Sequence, residues 1–282
     1  MLKKYASLIL LALILIASTA NAAPWFNRVL VSNDDGINDP RLHVLAEAFA
    51  ATGAEVIVVA PLVNCSGSSN YVSVYREKNL AVEPRDFGPG IEAWAVDGFP
   101  GDCVMLALLQ IMADDPPDLV VGGINSGPNL ADAWIASGTI GIARLAAHEG
   151  IPAIAFSGLS SRDSAKMASV PQWCAKLAMT DHVRDLADGA YLNVNFPMGL
   201  DQEIIGATWA ETGSKIFHDA FDLTGQDEAG RDIWKLRYWI DDGDQSPDSD
   251  VAQHRAGYVT VTPLRVGDSH SLDQGVALPS WR

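Results

Sequence analysis

Two adjacent carboxylates and a scatter of small hydroxyl and amide side chains carry the chemistry this sequence could perform. Asn33-Asp34-Asp35-Gly36 follows the apolar run Arg28–Ser32. Ser66, Gly67 and Ser68 lie in a polar loop after a second apolar run at 55–59. Asn125, Ser126, Gly127 and Asn129 follow a third at 118–121, and Ser137-Gly138-Thr139 opens a helical pattern. Neighbouring carboxylates raise each other's cost of ionisation unless a cation lies between them. A donor set made only of oxygens suits a hard divalent ion such as Mg²⁺ or Mn²⁺. Such an ion activates water and draws charge from a phosphoryl oxygen. A helix start at Ser137 offers N–H groups to a phosphate. Taken singly, Asp-Asp-Gly is also an ordinary helix-capping turn, and the Asn125–Asn129 and Cys65–Ser69 segments are ordinary loops. Their common position after strands of one sheet favours a site.

Other chemistries fit less well. A haloacid-dehalogenase phosphatase needs Asp-x-Asp, and here the aspartates are adjacent. Ser126 lies between Ile124 and Pro128 at the flanking glycine positions of G-x-S-x-G, and Ser66 between Asn64 and Ser68, so neither forms a hydrolase elbow. No phosphate-loop or dinucleotide glycine motif is present, and no Cys/His spacing suggests zinc.

The elements that must position these residues alternate. A strand at Arg28–Ser32, a helix at 41–51 and a strand at 55–59 make a βαβ opening with 22 residues between the strands. Short strands are predicted near 71–75 and 91–96, an apolar helix at 102–112, and a strand at 118–121. A helix follows at 139–148, and buried strands at 151–156 and 191–195. The segment 215–250 is predicted to be a polar projecting arm, and 257–263 a late strand. The fold class is α/β: a Rossmann-like, mostly parallel sheet with helices on both faces, whose ligands bind beyond the carboxyl ends of the strands.

Hydrophobic residues make up 48% of the 282 and charged residues 19%, the proportions of a globular domain with a sizeable core. Lys3 and Lys4, the nine-residue apolar run Leu8–Ile16 and Ala20-Asn21-Ala22 form the three parts of a secretory signal peptide, expected to be removed after residue 22 or 23. The run is too short for a membrane span of about 20 residues. The expected domains are a leader at 1–23 and one unit at 24–282, with a core at roughly 27–200 and a C-terminal extension at 201–282. The expected location is periplasmic or secreted. Removing Lys3 and Lys4 from 19 basic residues leaves 17 against 35 acidic ones, a net charge of −18. That charge disfavours nucleic-acid polymers and anionic membranes as partners, but not a small anion met by a metal. Three cysteines, Cys65, Cys103 and Cys174, make no disulfide framework, and which pair could close is open.

Beyond these patterns the chain resembles the SurE survival-protein family. The likeness runs through Val29–Pro40 (VLVSNDDGINDP), Val58–Asn70, Val96–Leu108, Val120–Ser157, Tyr191–Pro197 and Asp250–Leu264, in the family's order. The resemblance implies a Rossmann-like core and a C-terminal extension exchanged within a homodimer or homotetramer. It implies hydrolysis of nucleoside 5′- and 3′-monophosphates with one divalent ion. By motif position Asp34, Asp35, Ser66 and Asn125 are the implied metal ligands, with the two aspartates catalytic. Asn129, Ser137, Gly138 and Thr139 are the implied phosphate pocket. Four positions depart from the family pattern: Asn38 for His, Arg41 for Gly, Cys65 for Gln and Ala136 for Tyr. These bear on base preference and rate. His254 is either an acid–base group or a structural histidine, and His43 lies on the first helix, packed or exposed; neither is counted among the catalytic residues. Two other readings stand beside this one. A nucleotide- or phosphate-binding protein without catalysis has little use for paired carboxylates. An exopolyphosphatase would need basic residues near the pocket, to which Arg28, Arg41 and Arg144 are the candidates.

Overall fold

A computed structural model describes residues 23–76, 79–199 and 202–267, so the expected leader, apart from Ala23, lies outside the described residues. No helix among the described residues is long and apolar enough to cross a membrane.

Among the described residues eleven strands and six α-helices follow one another, in alternation over much of their length. In order they are β1 (Arg28–Ser32), α1 (Pro40–Ala50), β2 (Glu55–Pro61), β3 (Val82–Asp86), β4 (Ile91–Val96), α2 (Pro100–Leu106), β5 (Leu119–Asn125), α3 (Gly138–His148), β6 (Ala153–Ser157) and α4 (Ser164–Ala178). Then come α5 (Asp181–Arg184), β7 (Ala190–Asn195), β8 (Gly206–Trp209), β9 (Phe217–Gln226), β10 (Asp232–Ile240), α6 (Asp250–Arg255) and β11 (Tyr258–Arg265). Nine strands form one sheet in the order β3-β4-β2-β1-β5-β6-β7-β11-β8. It is parallel except at β3/β4 and β7/β11.

Alternation along each central strand builds two cores. Val29 and Val31 of β1 pack with Val56, Val58, Leu119 and Val121 against α1 and α4. Leu30, between those valines, packs with Ile57, Val59 and Val120 against α2 and α3. Burial on both faces explains why these strands read as continuous apolar runs.

Three expectations need correction. The segment 71–75 is no strand: Ser73–Arg76 is a 3₁₀ turn, and the strand that precedes β4 is β3. The helix expected from 102 begins at Pro100 and passes into a π turn at Ala107–Ile111. The arm predicted at 215–250 is the antiparallel hairpin β9–β10. It is not polar, since Phe221, Leu223, Trp234, Leu236, Tyr238 and Trp239 are all well exposed on it. Four further elements went unread: α4, with Pro171 inside it, the short helices α5 and α6, and β8, which pairs in parallel with β11.

Candidate active site at the switch point of the sheet

The sheet grows from β1 in both directions, to β2 on one side and β5 on the other. The crevice at the carboxyl ends of β1 and β5 is therefore the topological switch point, where open α/β sheets bind ligands. Asn33–Gly36 leaves β1 there, and Asn125 ends β5.

Local chemistry shapes the turn after β1. The Asn33 side chain is buried and closes it from both ends, donating Nδ2–H to the Gly36 carbonyl at 3.0 Å and accepting the Gly36 N–H at 3.2 Å. Gly36 has φ +105°, and a Cβ there would lie 3.1 Å from the Val63 backbone, so glycine serves both conformation and space. The Cys65 N–H donates to the Asp34 carbonyl at 2.7 Å and the Ile37 N–H to the Pro61 carbonyl at 2.7 Å. These bonds fasten the loop bearing Ser66 beside the two aspartates.

Asp34 is 3% exposed. Thr139 Oγ1 donates to its Oδ1 at 2.5 Å. The backbone N–H groups of Asp34, Thr139 and Gly138 also stabilise its carboxylate. Burial still outweighs these bonds and raises its pKa above the ordinary carboxylate value. A Cβ on Gly138 would stand 2.8 Å from the Asp34 Cβ, so glycine lets the start of α3 reach this side chain. Asp35 is pushed up to about 6, chiefly by burial and further by Asp34 and Asp39, against the opposing Arg41 guanidinium. Arg41 Nη2 lies 3.3 Å from Asp35 Oδ1 and 2.5 Å from Asp39 Oδ2. Arg41 thus sets a buried cation against one oxygen of Asp35. The other, Oδ2, is buried without a hydrogen-bond partner.

A cavity of about 400 Å³ opens beside these groups. Asp34, Ser66, Asn125, Asn129 and Ser137 line it, whereas Asp35, Gly138 and Thr139 are not among its lining residues. Thr139, expected to face a phosphate, is fully buried and spends its hydroxyl on Asp34. Ser137 caps α3, its Oγ accepting the Ile140 N–H at 3.1 Å. Asn125 Nδ2 donates to the Gly127 carbonyl at 2.9 Å.

Three residues not singled out in the sequence hold Asn129. Its Nδ2 donates to Ser157 Oγ at 2.8 Å, and its backbone N–H to Asn195 Oδ1 at 2.6 Å. Its carbonyl accepts from Asn193 Nδ2 at 2.8 Å. The signal was available: Asn193 and Asn195 alternate with apolar residues in a strand that is otherwise buried. Buried polar residues that share a face at one strand's carboxyl end need partners there.

The other candidates lie elsewhere. His254 Nε2 is 3.0 Å from the Phe196 carbonyl, and His43 stacks on Phe87 at a centroid distance of 3.8 Å. Arg28 pairs with Glu55 and Asp115, and Arg144 bonds Asn70 and the Trp134 carbonyl. Lys215 is the one cation among the described residues lining the cavity. All three cysteines are free thiols.

The donors present fit a hard divalent ion. Asp35 Oδ2 is a buried, partnerless anionic oxygen, and Asp34 adds a second carboxylate. Among the described residues no three Asp, Glu, His or Cys side chains gather as a metal cluster. A cation here would therefore draw on the neutral oxygens of Ser66 and Asn125 as well.

Comparison with known proteins agrees with this architecture. The family model described as survival protein SurE matches residues 29–219. The protein called 5′-nucleotidase SurE 1 in Burkholderia lata is 36% identical over 90% of this chain and 95% of its own length. The 5′-nucleotidase SurE of Gloeobacter violaceus is 33% identical over 84% of this chain and 89% of its own. The crystal structure of the SurE protein from Aquifex aeolicus aligns with a TM-score of 0.68 at 30% identity, covering 84% of this chain and 93% of that one. Switch-point aspartates, sheet order and these matches together make the chain a member of the SurE survival-protein family.

Proposed function

We propose that the chain is a 5′-nucleotidase that hydrolyses nucleoside monophosphates, cutting 3′ esters as well, with one Mg²⁺ or Mn²⁺ held by Asp34, Asp35, Ser66 and Asn125. The observation that carries this reading is the buried pair of carboxylates beside a ligand-sized cavity, one oxygen of which lacks any partner. The relatives' names supply the substrate class. When bound, the ion supplies charge neutralisation and Lewis acidity toward a phosphoryl oxygen.

The chain's own residues do the rest. Arg41 holds Asp35 by Oδ1, which leaves Oδ2 free for the ion or for a water beside it. Thr139 and Gly138 hold Asp34 in place from behind. Asn129 and Ser137 face the phosphoryl oxygens from the cavity wall, Asn129 being held by Ser157 and Asn195. Preorganised donors of this kind stabilise charge as it develops in the transition state.

The same reading includes a homodimer or homotetramer, supported by the exposed apolar side chains of the β9–β10 hairpin. It also includes export, supported by the leader pattern at 1–23. Light scattering of the purified chain tests the first, and cell fractionation the second: monomers at micromolar concentration or protein in the cytosol would refute them.

The deciding experiment is phosphate release from 5′- and 3′-monophosphates with EDTA, Mg²⁺ or Mn²⁺. Metal-dependent release is expected, and Asp34→Asn should lower kcat/KM by about 1000-fold while its circular dichroism stays native. Binding of nucleotide without release would favour a binding protein instead. Polyphosphate cleaved in preference to nucleotides would favour an exopolyphosphatase, a reading that Lys215 as the lone lining cation does not support.

A further inference from the structure

The cavity is larger and less polar than a phosphoryl group requires. Its oxygen-bearing end is Asp34, Ser66, Asn125 and Ser137, while Ile135, Phe217 and Tyr238 line it as well. A phosphoryl group gains nothing from aromatic or aliphatic walls. About 400 Å³ is the size of a site for a whole small molecule.

That apolar wall is a constructed feature. Asp132 Oδ1 accepts the N–H groups of Ile216 at 2.9 Å and Phe217 at 3.3 Å. Asp250 Oδ2 accepts the Ala131 N–H at 2.9 Å, and its Oδ1 the Gly213 N–H at 2.8 Å. Ile216 is buried with Leu130, Ala131 and Val251, and Phe217 packs against that cluster. Two carboxylates and a small core thus fasten the root of the hairpin to the 3₁₀ turn Ala131–Ile135 at the cavity's edge.

Strand alternation then decides which hairpin side chains face the cavity. Phe217 and Asp219 are two apart on β9, and Tyr238 pairs directly with Asp219 across the hairpin. These three share one face, and all three line the cavity. His218 and Trp239 pair on the opposite face, their rings stacked at 5.5 Å.

We infer that the cavity-facing side of the β9–β10 hairpin is the nucleoside subsite, with Phe217 and Tyr238 stacking on the base and Ile135 closing its edge. The inference rests on the nucleotidase reading for its ligand and deepens it by naming the specificity-determining residues. Aromatic stacking accepts any base, because every base has a π face, so this wall selects nucleotides over small phosphate esters without choosing strongly among bases. Among the described residues lining the cavity the aromatic side chains, Phe217 and Tyr238, both come from the hairpin.

Adenosine is the probe, because it carries no phosphate and its binding needs neither metal nor turnover. Calorimetry on the full chain with EDTA present should give saturable adenosine binding. The double variant Phe217→Ala/Tyr238→Ala should weaken it by about tenfold or more, and Tyr238→Phe should keep it within about twofold. Trp239→Ala, on the other face, should leave it unchanged. In turnover the double variant should raise KM for AMP by a similar factor with kcat little altered. Wild-type adenosine affinity in the double variant would overturn the inference, as would no adenosine binding by the wild type. Equal weakening by Trp239→Ala would overturn it too, because the effect would then belong to the hairpin's integrity. Adenosine bound through this face with no phosphate released from AMP would sink the nucleotidase reading while leaving the subsite standing.

Discussion

Asp34 takes its position from the residues behind it. Its carboxylate meets the Thr139 hydroxyl at 2.5 Å, and Gly138 leaves no spare room at its Cβ. A methyl group at 138 would sit 2.8 Å from that Cβ, a separation that forces one of the two to move. Gly138→Ala is therefore expected to displace Asp34 and lower kcat by roughly 100-fold, since misplacement of about 1 Å costs that much. Its melting temperature should fall by a few degrees, because overpacking a buried contact costs about 1–3 kcal/mol, more than alanine's better helix propensity returns. Steady-state kinetics beside a thermal melt check both halves, and an active variant would show that α3 can recede without cost. The type of residue at 34, 35, 66 and 125 was legible because charge and oxygen chemistry belong to the side chain itself. The use of Thr139 was not, because a hydroxyl serves a phosphate and a carboxylate equally well, and only the approach of α3 to β1 chooses.

At the scale of elements, the loop bearing Ser66 is tied down twice. One tie is to the turn after β1, and the other runs through Ser73 to α2. Buried Asp102 accepts the Ser73 N–H at 2.7 Å, the Ser73 hydroxyl at 2.8 Å and the Phe99 N–H at 2.9 Å. Gly101 permits the close approach, because a Cβ there would lie 2.6 Å from the Tyr71 carbonyl. Asp102→Ala orphans these donors and should cost about 2–4 kcal/mol of unfolding free energy. Urea unfolding measures this, and a loss below about 1 kcal/mol would mean that water replaces the carboxylate. The start of α2 was readable in part, since Pro100 at its first turn is a familiar opening, yet the apolar pattern placed the helix only from 102. Helix α4 escaped notice for the converse reason. Pro171 reads as a breaker, but Val170, Cys174 and Ala178 are buried in the same core as α1, and that packing outweighs the lost bond.

For the molecule as a whole, the C-terminal part is locked to the sheet through α6. Asp250 bonds Ala131 and Gly213, Arg255 pairs with Asp242, and His254 meets the Phe196 carbonyl just beyond β7. Burial lowers the His254 pKa below its usual 6.5, with the Phe196 carbonyl, Asp250 and Asp242 opposing. The folded state therefore prefers the neutral ring. Well above pH 6.5 neither state is protonated there and His254 sets no pH dependence. As pH falls below 6.5 the unfolded chain takes up the proton first, and stability declines until the folded-state pKa is passed. His254→Gln removes this titration, so its urea midpoint should fall less steeply than the wild type's between pH 7 and pH 5. Parallel slopes for the two proteins would mean that the ring is equally protonated in both states.

The sequence by itself determined the α/β alternation, the two-faced burial of the central strands and the donors gathered at the strand ends. Those features are local: apolar runs, glycine at a tight turn, and side chains whose chemistry does not depend on neighbours. It also carried the resemblance through which Asp34, Asp35, Ser66 and Asn125 were expected to act together. Only the tertiary structure decided that Arg41 sits against Asp35, that Asn193, Asn195 and Ser157 hold Asn129, and that a segment read as polar folds into a hairpin with an aromatic face on the cavity. Each of these joins residues far apart in the chain, except for Arg41. There the partner was near, but α1 had to turn its first residues back over the β1 loop before a guanidinium could be buried between two acids. Charge pairing and burial are properties of neighbours in space, and the order of residues along a chain does not state who those neighbours are.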